Sequence, residues 1–175
     1  MDHSLSDSEI RRCVPGVKIM SYPDLRKYAH LDDILDSKGR VVILFLTEGP
    51  MVGHWTTMFK DGENSFQWFD SYGLKPDGNR RWLSKSKLIS LREEKPILTD
   101  LIKGAEEGGA TVNFSPYHFQ RDNASIETCG RHVACRLIKK HLSPSDYAMW
   151  VTQNNTADPD KVVTQYTDAI LHNNK

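Results

Sequence analysis

The sequence predicts an α+β domain with a mostly antiparallel central sheet packed against helices. Three observations carry that prediction. A continuous apolar run over residues 40–47 precedes two alternating segments, 54–60 and 65–70, which is strand rather than helix patterning. Asp61-Gly62-Glu63-Asn64 separates those two segments and reads as a hairpin turn. From Cys129 onward, Val133, Ala134, Leu137 and Ile138 recur at helical spacing, and further helical segments follow. Strands gathered in the centre and helices gathered at the C-terminal end are the layout of an α+β fold.

The elements follow in order. Ser6 caps a short helix with Glu9 at its third position, and Pro15-Gly16 ends it. Residues 22–35 are mixed and partly helical, and Ser37-Lys38-Gly39 is a turn. After strand 40–47, a Gly- and Pro-containing loop over 48–53 leads to strand 54–60. Strand 65–70 ends at Ser71-Tyr72-Gly73, and Asp77-Gly78-Asn79 is another turn. Helices are expected over 82–91 and 96–107, the second stopped by Gly108-Gly109. Residues 111–120 read as a fourth strand. The remaining helices are 130–141, one capped by Ser143 through 152, and one entered through Pro159 and running to 171.

At 175 residues the chain fits one domain, 1–175, with a core large enough to need no disulfide. Lys plus Arg and Asp plus Glu number 23 each, so a nucleic-acid or anionic-membrane partner is not supported by net charge. A local basic segment does exist at Arg80, Arg81, Lys85 and Lys87. Three cysteines, Cys13, Cys129 and Cys135, are a poor disulfide framework and suit a reducing compartment. The first residues lack the apolar run of a secretory signal, and the apolar stretch 41–46 is too short to span a bilayer. The expectation is a monomer that is neither secreted nor membrane-bound.

Three local features carry chemistry. Cys129-Gly130 stands at the start of the 130–141 helix, where unpaired backbone N–H groups and the helix dipole favour thiolate. Gly130 allows close approach of backbone or substrate. His54, followed by Trp55, opens a strand after the glycine-containing loop that ends at Gly53. Asp70 closes the next strand, and a hairpin of 54–60 with 65–70 would set His54 opposite Asp70 at its open end. A thiolate, an imidazole base and an orienting carboxylate are the parts of a cysteine nucleophile. Taken singly, each residue is more simply a core thiol, an exposed histidine or a strand-ending aspartate.

Gly53-His54-Trp55, Phe69-Asp70-Ser71-Tyr72-Gly73 and Thr128-Cys129-Gly130, in that order, resemble the adenain-like cysteine proteases. That superfamily comprises the adenovirus maturation protease and the SUMO-deconjugating proteases, and the likeness spans roughly residues 40–142. The resemblance implies a papain-like adenain/SUMO-protease type of fold, a His54-Asp70-Cys129 triad and no cofactor. It also implies an oxyanion-hole amide upstream of the cysteine. Gln120 is the favoured candidate, nine residues before Cys129, and Asn123 the alternative. Trp55, with Gly53 and Gly130, would shape a narrow channel that admits glycine-type sites. The implied substrate is a protein, a viral capsid or core precursor cut during maturation in the virion or host cytoplasm. Two alternatives stay open: a deconjugating protease for a ubiquitin-like modifier, and a non-catalytic nucleic-acid or protein binding module. A metal cluster of Cys129, His132 and Cys135 lacks an obvious fourth ligand, so no metal is expected. Arg131 and His132 are expected to be solvated or to support the site from behind.

Overall fold

A computed structural model of the chain describes residues 3–49, 51–123 and 125–173. Its element order is α1 (Asp7–Cys13), β1 (Lys18–Ser21), β2 (Arg40–Gly49), β3 (Val52–Gly62), β4 (Ser65–Phe69), α2 (Lys85–Ser90), α3 (Ile97–Glu107), β5 (Thr111–Phe114), α4 (Cys129–Ile138), α5 (Pro144–Val151) and α6 (Pro159–Asn173). Short 3-10 turns occupy Tyr22–Lys27, Leu31–Ile34 and Gly78–Trp82. The fold is α+β, as expected.

The five strands form one sheet in the order β1-β2-β3-β4-β5. Its centre, β2-β3-β4, is antiparallel, while β1 and β5 each join an edge in parallel. The sheet is therefore mixed rather than mostly antiparallel. Parallel edge strands need crossovers through other elements, so no local hairpin signal announces them. The strand expected over 111–120 stops at Phe114, and the helix expected over 82–91 is confined to Lys85–Ser90. The loop expected over 48–53 is mostly strand: β2 runs to Gly49, β3 starts at Val52, and Met51 turns with a φ of 63°. Pro50 of that loop lies outside the described residues.

Both faces of the sheet are covered, which explains the unbroken apolar run of β2. Val42, Leu44 and Leu46 join Trp55, Phe59 and Phe69 in a core under α1, α4, α5 and α6. Val41, Ile43 and Phe45 join Met58, Phe66 and Trp68 in a second core under α3 and the first two 3-10 turns. Alternation along β2 thus divides one sequence run between two cores. No helix among the described residues is long and apolar enough to cross a membrane.

Candidate active site

The site forms where the start of β3, the end of β4 and the N-terminus of α4 meet. Gly53 pairs with Leu46 so closely that a Cβ would lie 1.9 Å from the Phe45 carbonyl oxygen. Only glycine fits there, and the tight pairing fixes the backbone that presents His54. His54 is buried, and its Nε2 sits 3.1 Å from Asp70 Oδ1. Asp70 is fully buried and also accepts from the Tyr72 N–H at 2.8 Å and from Asn79 Nδ2 at 3.0 Å. Three donors therefore fix one carboxylate, leaving it to orient the imidazole.

The expected pairing of His54 with Asp70 is met by contact but not by register. Thr57 pairs with Phe69 in the sheet, so continuing that register sets Asp70 opposite Thr56 and Tyr72 opposite His54. Tyr72 indeed stacks on the imidazole, with ring centroids 5.2 Å apart. The slip arises at the turn, which tightens to Glu63-Asn64 with Gly62 paired to Ser65, and a one-residue bulge between Lys60 and Gly62 takes back one residue of it. An offset of two residues keeps side chains on the same face, so Asp70 reaches His54 as a diagonal neighbour.

Cys129 is the first residue of α4 and is largely buried as a free thiol. Thr128 precedes it but makes no capping bond to the helix. The thiol lines the same cleft as the His54 ring. Burial favours the neutral imidazole, but Asp70 and then Cys129 override it, and the His54 pKa is raised well above its ordinary value. That direction favours the protonated imidazole. Trp82 meets the His54 ring edge-on at 5.2 Å, opposite in role to the stacked Tyr72, and helps shield it from water.

Gln120 is buried, and its orientation is fixed without ambiguity. Its Nε2 donates to the Ile126 carbonyl at 3.0 Å, and its Oε1 accepts from the Ser71 hydroxyl at 2.7 Å. One amide hydrogen remains beyond the bond to Ile126. Asn123 is exposed, and its Oδ1 accepts from the Ser125 backbone and hydroxyl at 3.0 and 2.8 Å. Both residues line the same cleft of about 770 Å3 as His54 and Cys129. Gln120 is the better-held amide.

Trp55 lines that cleft but is mostly buried, and its Nε1 donates to the Leu5 carbonyl at 3.1 Å. Gly130 packs inward, where a Cβ would lie 3.1 Å from both Leu5 Cβ and Trp55 Cδ1. Its small size thus serves packing under the helix start. The arm before α1 forms one wall of the cleft, through Ser4 to Asp7, and Met51 and Val52 stand exposed on another.

Arg131 and His132 are fully buried, which removes the solvated alternative and leaves that of support from behind the site. Arg131 pairs with Asp168 at 2.8 Å, and His132 Nε2 lies 2.8 Å from Asp160 Oδ1. Cys135 points to the Val163 carbonyl. These directions separate Cys129, His132 and Cys135, and no cluster of three or more potential metal ligands occurs among the described residues. Of the basic segment, Arg80 donates to the Glu93 and Glu94 carbonyls and Lys87 to that of Glu48, while Arg81 and Lys85 are exposed. Sequence reasoning missed Asn79 and Asp160. Both sit in segments that read as turn or helix-start punctuation, a signal that gives no hint of what they bind.

No protein-family model matches the chain. The uncharacterized protein V9 of Sputnik virophage is 31% identical over 153 residues, covering 86% of this chain and 85% of V9. The central domain of the uncharacterized Lpg1148 protein of Legionella pneumophila aligns over 98% of this chain and 99% of its own. There the identity is 15% and the TM-score 0.46, below the level that establishes a common fold.

Proposed function

The chain belongs to one family with the virophage protein V9, and for it we propose a cysteine endopeptidase that uses Cys129, His54 and Asp70. One observation carries this reading: a buried His54-Asp70 pair that shares a cleft with a free thiol at a helix N-terminus. His54 first takes the proton of the Cys129 thiol. Cys129 Sγ attacks the peptide carbonyl carbon, and the π electrons move to the oxygen. The Cys129 N–H and the spare Gln120 amide hydrogen receive that oxyanion. The C–N bond then breaks as His54 delivers its proton to the leaving amine, giving a thioester. His54 next takes a proton from water, whose oxygen attacks the thioester. The C–S bond breaks, the acid product leaves, and the His54 proton returns to the Cys129 sulfur, restoring the thiol–imidazole pair.

The burial of Cys129 and His54 favours a slim residue beside the scissile bond, in keeping with glycine-type sites. The virophage relative supports a viral context, and a capsid or core precursor is the substrate proposed within it. A peptide aldehyde with glycine at its reactive end tests the chemistry. Mass spectrometry should find it bound reversibly to wild-type protein and absent from Cys129→Ala. Equal binding to both proteins would remove Cys129 from the mechanism.

A further inference from the structure

The loop 121–128 joins the two proposed oxyanion donors: Gln120 immediately precedes it and Cys129 immediately follows it. Its two ends converge on one side chain. Asp160, in the first turn of α6 and 1% exposed, accepts from the Thr128 hydroxyl at 2.6 Å and from His132 Nε2 at 2.8 Å, both on Oδ1. Its Oδ2 accepts from the Arg121 N–H at 3.1 Å and from Arg121 Nε at 3.3 Å. Asp158 adds a second tie, pairing with the Arg121 guanidinium at 2.9 Å. Phe119 stacks on His132 and keeps that ring in place.

The Thr128 hydroxyl is placed to cap α4, yet it donates to Asp160 instead. The threonine oxygen is thereby turned from the first helical N–H groups, which are those nearest the Cys129 thiol. A buried carboxylate must keep its donors, because moving one away strands charge in a medium of low dielectric. Holding Asp160 therefore holds both loop ends. Burial works against its ionisation, but His132, Thr128 and Arg121 lower its pKa to about 2, so it remains a carboxylate at neutral pH.

We propose that Asp160 is a positioning residue for the oxyanion site, setting the separation of the Gln120 amide from the Cys129 N–H by clamping Arg121 and Thr128. This rests on the protease reading. Asp160 touches neither substrate nor thiol in that role. It acts through the loop, so its loss affects stabilisation of the oxyanion and spares the His54-Cys129 pair.

Asp160→Asn keeps the shape but turns an NH2 toward one set of donors, releasing one loop end. Cleavage of a randomised peptide library identifies a substrate for wild-type kinetics. On that peptide, kcat of Asp160→Asn should fall about tenfold or more with KM within about threefold. Affinity for a peptide aldehyde, whose adduct carries the same oxyanion, should fall in parallel. Alkylation of Cys129 by iodoacetamide needs no oxyanion site and should stay within about threefold of wild type. An unchanged kcat in folded Asp160→Asn overturns the proposal, and so does an alkylation rate that falls as far as kcat. Should Asp160→Asn fail to fold, Thr128→Val removes one clamp bond at constant shape and must give the same split. Wild-type protein that cleaves nothing and binds no aldehyde removes the protease reading and this inference together. Wild-type turnover matched by both variants removes the inference alone.

Discussion

His54 is held by the Asp70 carboxylate and shares its cleft with the Cys129 thiol, and its proposed chemistry follows from that position. Its pKa is raised by Asp70 and Cys129 against the opposing effect of burial. The stability this gives is present in full below the unfolded imidazole value of about 6.5 and is lost as pH rises through the raised folded value. Turnover should follow the same group, because the leaving amine needs the His54 proton. Asp70→Asn should therefore move the alkaline limb of kcat/KM toward neutral pH, as measured in a pH–rate profile. An alkaline limb that stays in place would show that Asp70 does not hold the proton. Glu93 gives a contrasting case. It is buried, Oε1 accepts from the Leu46 N–H at 2.7 Å, and Oε2 has no partner among the described residues. Burial pushes its pKa up to about 7 against the partial opposition of that backbone bond. A raised carboxyl pKa costs stability once pH passes the unfolded value of 4.5, and the cost is complete above about 7. Glu93→Gln should gain Tm relative to wild type as pH rises across that window, and parallel Tm–pH curves would contradict this. Cys129, His54 and Asp70 could be singled out in the sequence because their residue types suit the proposed chemistry. Asn79 and Glu93 could not, since only folding brings them against Asp70 and the end of β2.

At the scale of elements, the site depends on how β2, β3 and β4 register. The tight turn at Glu63-Asn64, partly offset by the one-residue bulge at Lys60/Gly62, leaves β4 two residues from the register that pairs His54 with Asp70. Because strand faces repeat every second residue, the shift preserved the His54-Asp70 contact while moving Tyr72 to the opposed position. Pairing within hairpins was legible from alternation and turn residues. The parallel edges β1 and β5 were not, because their partners are set by crossovers of distant sequence. Gly53 is the most demanding position in this set. Gly53→Ala should destabilise by about 1–3 kcal/mol or more, because the added methyl meets a backbone carbonyl that cannot turn away. Chemical denaturation measures this, and a loss under about 0.5 kcal/mol, the scale of an ordinary surface change, would show that the two strands separate freely there. Helix α4 was legible from Cys129 onward, but burial of Arg131 and His132 was not. Charged residues inside a helix read as a solvated face until α1 and α6 are seen to cover them.

The whole molecule places the proposed catalytic residues at one end of a sheet that is covered on both faces. Alternation puts Trp55 and Phe59 in the core under α4 and leaves His54 on the other side of β3. Cys129 shares the cleft with His54 because α4 begins there. The arm before α1 closes that cleft through Leu5, whose carbonyl is held by Trp55. A thiol, an imidazole and a carboxylate thus converge from separate parts of the chain, as the order of motifs in the sequence suggested, while the covering arm and the Asp160 clamp came only with the fold. The central claim is that Cys129 performs peptide-bond cleavage. Its most direct test is digestion of a randomised peptide library by wild-type protein and by Cys129→Ala prepared in parallel, with new termini read by mass spectrometry. Wild type should generate new termini following small residues, and the variant should generate none while keeping the wild-type Tm within a few degrees. Equal cleavage by both proteins, or no cleavage by wild type across the library, would contradict the account.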